Sequence, residues 1–218
     1  IGFHGQTIFH NPEKKISKQI GNGNLLAQLT KNKVVYDFRK NDLENGGQGA
    51  PLTPIFHNLI SKKILNIQEN KNQIIIFLNI GGISNLSIIR SDKNFNLDEL
   101  EGYDIGPGNC LIDNWVRNNS KLQFDKNGEV ASSSNINQII LNQAIDNIEI
   151  DIKQSLDISD FDISFARGLS FEEGCATISE LTGYLISKGI EKSIKSFHDK
   201  QFVCVVCGSV QRIRARFE

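Results

Sequence analysis

The chain has 218 residues, of which 39% are hydrophobic and 22% are charged, so it can bury a core and is neither disordered nor collagen-like. Its 24 Lys and Arg residues nearly balance its 25 Asp and Glu residues, which leaves a net charge of −1. The composition therefore shows no excess of positive charge of the kind that binds nucleic acid. The longest apolar run, residues 74–78, is far shorter than the roughly 18–20 residues of a membrane helix, so we expect no membrane partner.

The four cysteines favour a reducing compartment, because so few in a chain of this length make no disulfide framework. With no export leader recognisable, we predict a cytoplasmic protein. Cys204 and Cys207 have the spacing of a redox pair or half a zinc site, but they lie in an apolar strand-like run and we predict buried structural thiols. Since the chain has no methionine and opens on what resembles the end of a buried strand, we expect further chain to precede it.

The first part of the chain predicts short elements separated by loops. Residues 8–9 and 33–36 indicate strands, and in the polar stretch between them an apolar patch at Leu25, Leu26 and Leu29 is consistent with one helix. Residues 41–54 are too rich in Gly and Pro for an element interior, so they predict a loop that enters a helix at 55–63.

A polar segment, residues 68–73, then marks a boundary, from which we predict two domains, residues 1–70 and 71–218. The β-branched apolar run 74–80 after it is typical of a central strand buried on both faces. A glycine turn follows, and residues 85–90 predict a second strand that returns beside the first.

The rest of the chain predicts helices that cover this sheet. Asn109 can cap a helix with apolar residues on one side, and residues 136–148 repeat apolar residues at helical spacing. A strand is predicted at residues 202–206. Strands and helices therefore alternate, which predicts an α/β architecture with mixed sheets.

The clearest helix covers residues 171–188. Ser170 and Glu173 form the capping pattern that begins a helix, and the apolar residues that follow share one face. Because Gly189 comes directly after, we predict that the helix ends there.

The first polar cluster of chemical interest lies at residues 2–7, where glycines flank His4, Gln6 and Thr7. An imidazole, an amide and a hydroxyl so close together could bind several sugar hydroxyls, although a plain turn with a satisfied His explains the same residues. Arg39 could meet an anionic group with both arms of its guanidinium, or it could be an ordinary surface residue.

The second cluster is a glycine turn between two predicted strands, and its residues are Asn79, Gly81, Gly82 and Asn85. Its backbone N–H groups are expected to be free of side-chain cover, which suits phosphate oxygens. A plain hairpin remains the alternative.

The third cluster places Asp104 shortly before a rigid Gly-Pro-Gly loop, behind which a helix starts. A carboxylate in that position is held at the mouth of a site and could act as a general base. The alternative is an Asp whose only task is to form the turn.

Taken in order, these motifs resemble one family. The chain reads H-G-Q-T, then D-F-R-x-x-D with G-G-Q-G-A-P-L, then N-I-G-G-x-x-N, then G-Y-D-x-G-P-G-N. This succession closely resembles the anhydro-N-acetylmuramic acid kinases, bacterial sugar kinases of the actin, hexokinase and Hsp70 superfamily. The resemblance runs from residue 2 to about residue 115 and reappears at residues 172–185 and 203–208.

The resemblance implies a two-domain, actin-like ATPase (ribonuclease H-like) fold with mixed sheets and the active site in the cleft between the domains. It also implies a reaction in which ATP and water convert 1,6-anhydro-N-acetylmuramic acid to N-acetylmuramate 6-phosphate and ADP, a step of cell-wall recycling. ATP, Mg²⁺ and a homodimer are implied in the same way.

Residue by residue, the resemblance implies that Asp104 is the general base for the attacking water. It implies that Asn79, Gly81, Gly82 and Asn85 form the second phosphate-binding turn. On the sugar side it places His4, Gln6, Thr7 and Asn109, and we add Arg39 for the lactyl carboxylate because their charges match.

The pattern departs from the family at both ends. A first phosphate-binding loop would precede residue 1, and the adenosine loop of the family is replaced after Gly208 by a short basic tail, as a shifted reading frame would produce. We therefore expect a fold incomplete at both ends, with weak nucleotide binding and little turnover by these 218 residues. The alternative function is an inactive sugar-binding or interaction module that has lost ATP.

Overall fold

A computed structural model describes residues 1–64, 73–90, 101–148, 156, 158–197 and 201–208. The chain divides into two compact units, Ile1–Phe56 and His57–Glu218. The domain boundary predicted between residues 70 and 71 lies outside the described residues, as does the basic tail.

The first unit is built on a hairpin followed by helices. Its elements are strands β1 (Gln6–Asn11) and β2 (Ile16–Ile20), which pair antiparallel, and helices α1 (Gly23–Thr30) and α2 (Phe38–Glu44). The Asn22 side chain accepts a hydrogen bond from the N–H of Leu25 and so caps α1. The strand predicted at 33–36 is reduced to one parallel bridge between Gly2 and Val35. Neither β2 nor α2 was predicted.

The second unit contains a mixed sheet, as predicted, and of its four strands the one at Glu101–Pro107 was not predicted. Helix α3 (Thr53–Ile64), in which the boundary between the units falls, precedes strands β3 (Gln73–Ile80), β4 (Ile83–Arg90), β5 (Glu101–Pro107) and β6 (Gln201–Gly208). The strand order is β5-β4-β3-β6, with β4 antiparallel to both its neighbours and β6 parallel to β3. The carboxyl ends of β3, β5 and β6 therefore lie at one edge, where β4 begins.

The remaining helices lie between β5 and β6 in the chain. They are α4 (Cys110–Asn119), α5 (Glu129–Ser132), α6 (Gln138–Asn147) and α7 (Phe171–Ile194), with single 3-10 turns at Lys126–Gly128, Ile158–Asp160 and Ser164–Ala166. The Ser170 hydroxyl accepts from the N–H of Glu173 at 3.2 Å, which confirms the predicted cap of α7. Within the described part of the chain, no helix is both long and apolar enough to cross a bilayer.

Helix α7 packs against one face of the sheet, and its predicted end at Gly189 is wrong. The helix continues to Ile194, and Gly189 is buried in its interior. A Cβ atom on Gly189 would lie 2.6 Å from the Cβ of Ile105 on β5, so glycine serves close packing of the helix on the sheet. The apolar core on this face is formed by Ile74, Ile76, Leu78, Ile80, Leu86, Ile88, Ile105 and Ile186.

The opposite face of the sheet carries a smaller core and a histidine. Ile75, Phe77 and Ile89 are buried there, and the ring of His57 stacks on Phe77 with their centroids 4.4 Å apart. His57 Nδ1 also forms a 3.0 Å hydrogen bond with the hydroxyl of Ser87. Burial lowers the pKa of His57, so the folded protein favours its neutral ring.

The four thiols are free and differ in exposure. Cys110 and Cys175 are buried, but Cys204 is exposed and Cys207 is half-buried, so the prediction of two buried thiols on β6 is wrong. The reason is that β6 is the outermost strand of the described sheet, and its residues 202, 204 and 206 are exposed.

Candidate active site

Three of the polar residues singled out in the sequence form one row across the sheet of the second unit. Asp104 on β5 is paired with Asn85 on β4, which is paired with Asn79 on β3, and Asn79 is paired with Cys207 on β6. Directly paired residues project their side chains from the same face of a sheet. The carboxylate and the two amides therefore share one face, at the edge where β3, β5 and β6 end and where α/β proteins commonly bind ligands.

Asp104 is half-buried and its carboxylate is held by the backbone. Its Oδ2 atom accepts a 3.0 Å hydrogen bond from the N–H of Leu156. Burial raises the pKa of Asp104, and the hydrogen bond from Leu156 only partly opposes that effect. A carboxylate with a raised pKa holds a proton more tightly, which makes it a stronger general base than a solvated Asp.

The glycine turn after β3 is tied to the loop after β5. The N–H groups of Gly108 and Asn109 donate to the carbonyl oxygens of Gly82 and Gly81, both at 2.8 Å, and Cys110 N–H donates to Gly82 at 3.2 Å. A Cβ on Gly108 would lie only 2.3 Å from the carbonyl oxygen of Gly81, so glycine is required for this approach. Asn109, at the start of α4, is therefore held beside the turn.

The turn itself differs in one respect from the expected cradle of free N–H groups. The N–H of Gly81 donates to the carbonyl of Ile83 at 3.2 Å and is therefore already used. Neither Gly81 nor Gly82 has a positive φ, and added Cβ atoms would meet their nearest described neighbours at 3.5 Å and 3.6 Å. Neither a positive φ nor a clash of an added Cβ with the described residues explains these two glycines.

In the first unit, the structure brings His4 and Arg39 together. Arg39 Nε donates to His4 Nε2 at 3.1 Å, and His4 Nδ1 lies 2.8 Å from the carbonyl oxygen of Gly5. Burial lowers the pKa of Arg39. Among the described residues, no Asp or Glu forms an ion pair with this guanidinium.

Thr7 belongs to a separate polar network along the hairpin, which the sequence reasoning missed. Gln19 Nε2 donates to the hydroxyl oxygens of Thr7 at 3.2 Å and Ser17 at 2.7 Å, and His10 Nδ1 lies 3.1 Å from the same Ser17 oxygen. Ser17 and Gln19 lie two positions apart on β2, and that spacing was the only signal of this network in the sequence. The exposed Gln6 side chain makes only a long bond, 3.4 Å, to the carbonyl oxygen of Thr7.

His10 is electrostatically connected to Arg39. Burial, and after it the positive charge of Arg39, lowers the pKa of His10. His10 therefore favours its neutral form near a cation that no described carboxylate neutralises.

Asp42 positions the glycine-rich loop 46–50. Its Oδ2 atom accepts a 2.7 Å hydrogen bond from the N–H of Gly49. A Cβ on Gly47 would overlap the same carboxylate, so the loop lies directly on Asp42. The second Asp of the D-F-R-x-x-D motif therefore has a structural task within the first unit.

Comparison with known proteins gives a consistent result. The family model described as anhydro-N-acetylmuramic acid kinase matches residues 1–148. A protein of that name from Pelagibacter ubique is 50% identical over 212 residues, which cover 95% of this chain and 54% of the relative. One from Agrobacterium fabrum is 39% identical over 210 residues, with 95% and 53% covered.

A third relative of the same name, from Pseudomonas savastanoi, is 46% identical over 145 residues, which cover 66% of this chain and 36% of the relative. The chain spans about half the length of the first two relatives.

Proposed function

The chain belongs to the anhydro-N-acetylmuramic acid kinase family, and on that premise we propose that the full-length protein is an ATP-dependent sugar kinase. It opens the 1,6-anhydro ring of anhydro-N-acetylmuramic acid with water and phosphorylates O6, giving N-acetylmuramate 6-phosphate for cell-wall recycling. The predicted α/β class, that of the actin-like ATPases, is confirmed by the family and by the mixed sheet.

The observation that carries the proposal is the row of Asp104, Asn85 and Asn79 on one face of the sheet. A base and two amides next to a glycine turn are a combination that a phosphoryl-transfer site needs. Such a site works mainly by positioning and charge stabilisation, and it requires no nucleophilic Ser, Cys or Lys.

In the proposed reaction, Asp104 takes a proton from a water molecule as its oxygen attacks C1 of the sugar. The C1–O6 bond breaks with its electron pair going to O6, and O6 then attacks the γ-phosphorus of ATP and releases ADP. Water activation by a carboxylate at an anomeric carbon follows glycosidase chemistry. The raised pKa of Asp104 supports this role, because a stronger base removes the proton more readily.

We assign ATP phosphate binding to Asn79, Gly81, Gly82 and Asn85. The two glycines support this assignment, because neither a positive φ nor a clash requires them and phosphate oxygens approach the backbone most closely where no Cβ intervenes. The described residues contain no group of three His, Cys, Asp or Glu side chains placed to hold a metal ion. Mg²⁺ at a site of this kind keeps several waters and would be held mainly by phosphate oxygens, where it would neutralise charge on the phosphates.

We assign the sugar side to His4, Gln6, Thr7, Arg39 and Asn109. Arg39 matches the lactyl carboxylate, the negative charge that distinguishes this sugar from its unsubstituted parent. The absence of an ion-paired carboxylate at Arg39 among the described residues supports this assignment, since a half-buried cation gains most from an incoming anion.

We further propose that the protein works in the cytoplasm, as a homodimer, with a small-molecule sugar as substrate and with neither nucleic acid nor membrane as partner. The near-zero net charge supports the part of this proposal that concerns nucleic acid.

The test is Asp104→Asn in the full-length gene product, assayed for ADP and for N-acetylmuramate 6-phosphate. Loss of a general base lowers kcat by about 10²- to 10⁴-fold. The matched control is Asp113→Asn on α4, because burial raises the pKa of that carboxylate too, and this variant should retain activity. An Asp104→Asn variant within tenfold of wild type would refute the proposal. Wild-type protein that binds the sugar without forming ADP would instead support the inactive binding module.

A further inference from the structure

The contact between His4 and Arg39 determines where the imidazole carries its proton. A carbonyl oxygen can only accept a hydrogen bond, so the atom that faces Gly5, His4 Nδ1, must be the protonated one. In a neutral ring the other nitrogen, Nε2, is then an acceptor, and it receives the N–H of Arg39 Nε. Both bonds of His4 are satisfied at once by this one tautomer.

This arrangement fixes the orientation of the guanidinium. With Nε held by His4, the plane of the Arg39 head group is set and its two terminal nitrogens remain for another partner. Neither terminal nitrogen donates a hydrogen bond to a described residue, and no described carboxylate pairs with Arg39. An arginine presented in this way suits a planar carboxylate bound through two parallel hydrogen bonds.

We propose that His4 is a positioning residue that fixes Arg39 for bidentate binding of the substrate carboxylate, and that it does not itself bind the sugar ring. This inference rests on the proposed function and assigns His4 a more specific role within it. Together, Arg39 and His4 form a carboxylate subsite that distinguishes an acidic amino sugar from the same sugar without its lactyl group.

The test uses two ligands that differ only in that group, 1,6-anhydro-N-acetylmuramic acid and 1,6-anhydro-N-acetylglucosamine. Affinities are measured by titration calorimetry on the full-length gene product. His4→Phe removes the acceptor for Arg39 Nε but keeps an aromatic ring, and His4 is exposed, so the fold should tolerate the change. We expect affinity for the acidic sugar to fall about 10- to 100-fold and affinity for the neutral sugar to stay within twofold.

Two further variants make the test specific. Arg39→Gln should reproduce the selective loss, and adding His4→Phe to it should cause little further loss, because the two residues act as one unit. His4→Gln keeps an acceptor oxygen for Arg39 Nε and should recover part of the affinity for the acidic sugar.

Three results would overturn the inference. An equal loss for both sugars would mean that His4 contacts the shared ring, and unchanged affinity for both would mean that His4 does not position Arg39. Loss of ATP affinity with sugar binding intact would mean that Arg39 binds a phosphate. These results leave the proposed function standing, whereas wild-type protein that binds neither sugar would refute that function and this inference with it.

Discussion

Replacement of Gly108 by alanine should separate the two turns of the candidate site. The new Cβ would lie 2.3 Å from the carbonyl oxygen of Gly81, and ordinary contact begins at about 3.4 Å, so the turns must move apart by about 1 Å. That shift stretches the two 2.8 Å hydrogen bonds that Gly108 and Asn109 donate to the glycine turn. At about 0.5–1.5 kcal/mol each, their loss lowers the free energy of unfolding by about 1–3 kcal/mol.

Gly82→Ala is the matched control, because it adds the same methyl group to the other turn. Its Cβ would meet Cδ1 of Ile158 at 3.6 Å, an ordinary contact, and Gly82 has no positive φ. The free energy of unfolding should therefore change by no more than about 0.5 kcal/mol. If phosphate approaches the backbone of Gly82, the added methyl group should nevertheless raise the KM for ATP by about tenfold or more.

Both variants are compared with wild type by urea unfolding and by ATP titration of the kinase activity. Gly108→Ala should lose stability and activity together, whereas Gly82→Ala should lose only ATP affinity. Equal stability of Gly108→Ala and wild type would show that the turns are not held as described. Unchanged ATP affinity in Gly82→Ala would remove Gly82 from the phosphate site.

Two other measurements follow from the titratable groups. Iodoacetamide, with labelling followed by mass spectrometry, should modify the exposed Cys204 first, and bound ATP should slow modification of Cys207. Cys175 should stay unmodified in the folded protein, since burial raises its pKa to about 12. Labelling of Cys175 before Cys204 would contradict this order. Because burial lowers the pKa of His57, the stability that this residue contributes is present above about pH 6.5 and is lost as the pH falls through the lowered pKa. The free energy of unfolding, measured in urea between pH 7 and 5, should therefore fall more steeply in wild type than in His57→Gln. Parallel curves for the two proteins would refute this.

Local patterns in the sequence predicted most of the second unit correctly. The apolar run of β3, the glycine turn and the capping box of α7 each depend on neighbouring residues, and all three were found. The end of α7 was missed because Gly189 is required by contact with Ile105, which lies 84 positions earlier in the numbering (189 − 105). A contact so distant in the chain has no local signature.

In the candidate site, too, local patterns were predicted and contacts between distant residues were not. Residue types and motif order identified Asp104, Asn79 and Asn85, but only the strand register shows that these three share one row. Likewise, the sequence contained His4 and Arg39 as separate candidates, and their hydrogen bond depends on how the first unit folds. The strand β2 was missed because its alternating residues are mostly polar, with Ser17 and Gln19 engaged in a network rather than in a core.

The parallel pairing of β6 with β3 has a consequence for the order in which the protein assembles. Strands β3 and β4 are joined by a two-residue turn and can pair as soon as both have left the ribosome. The other edge of β3 must wait for β6, which is synthesised more than a hundred residues later. During that interval the nascent chain exposes an unpaired, strongly apolar strand edge, which makes β3 the segment most exposed to misassociation before folding is complete.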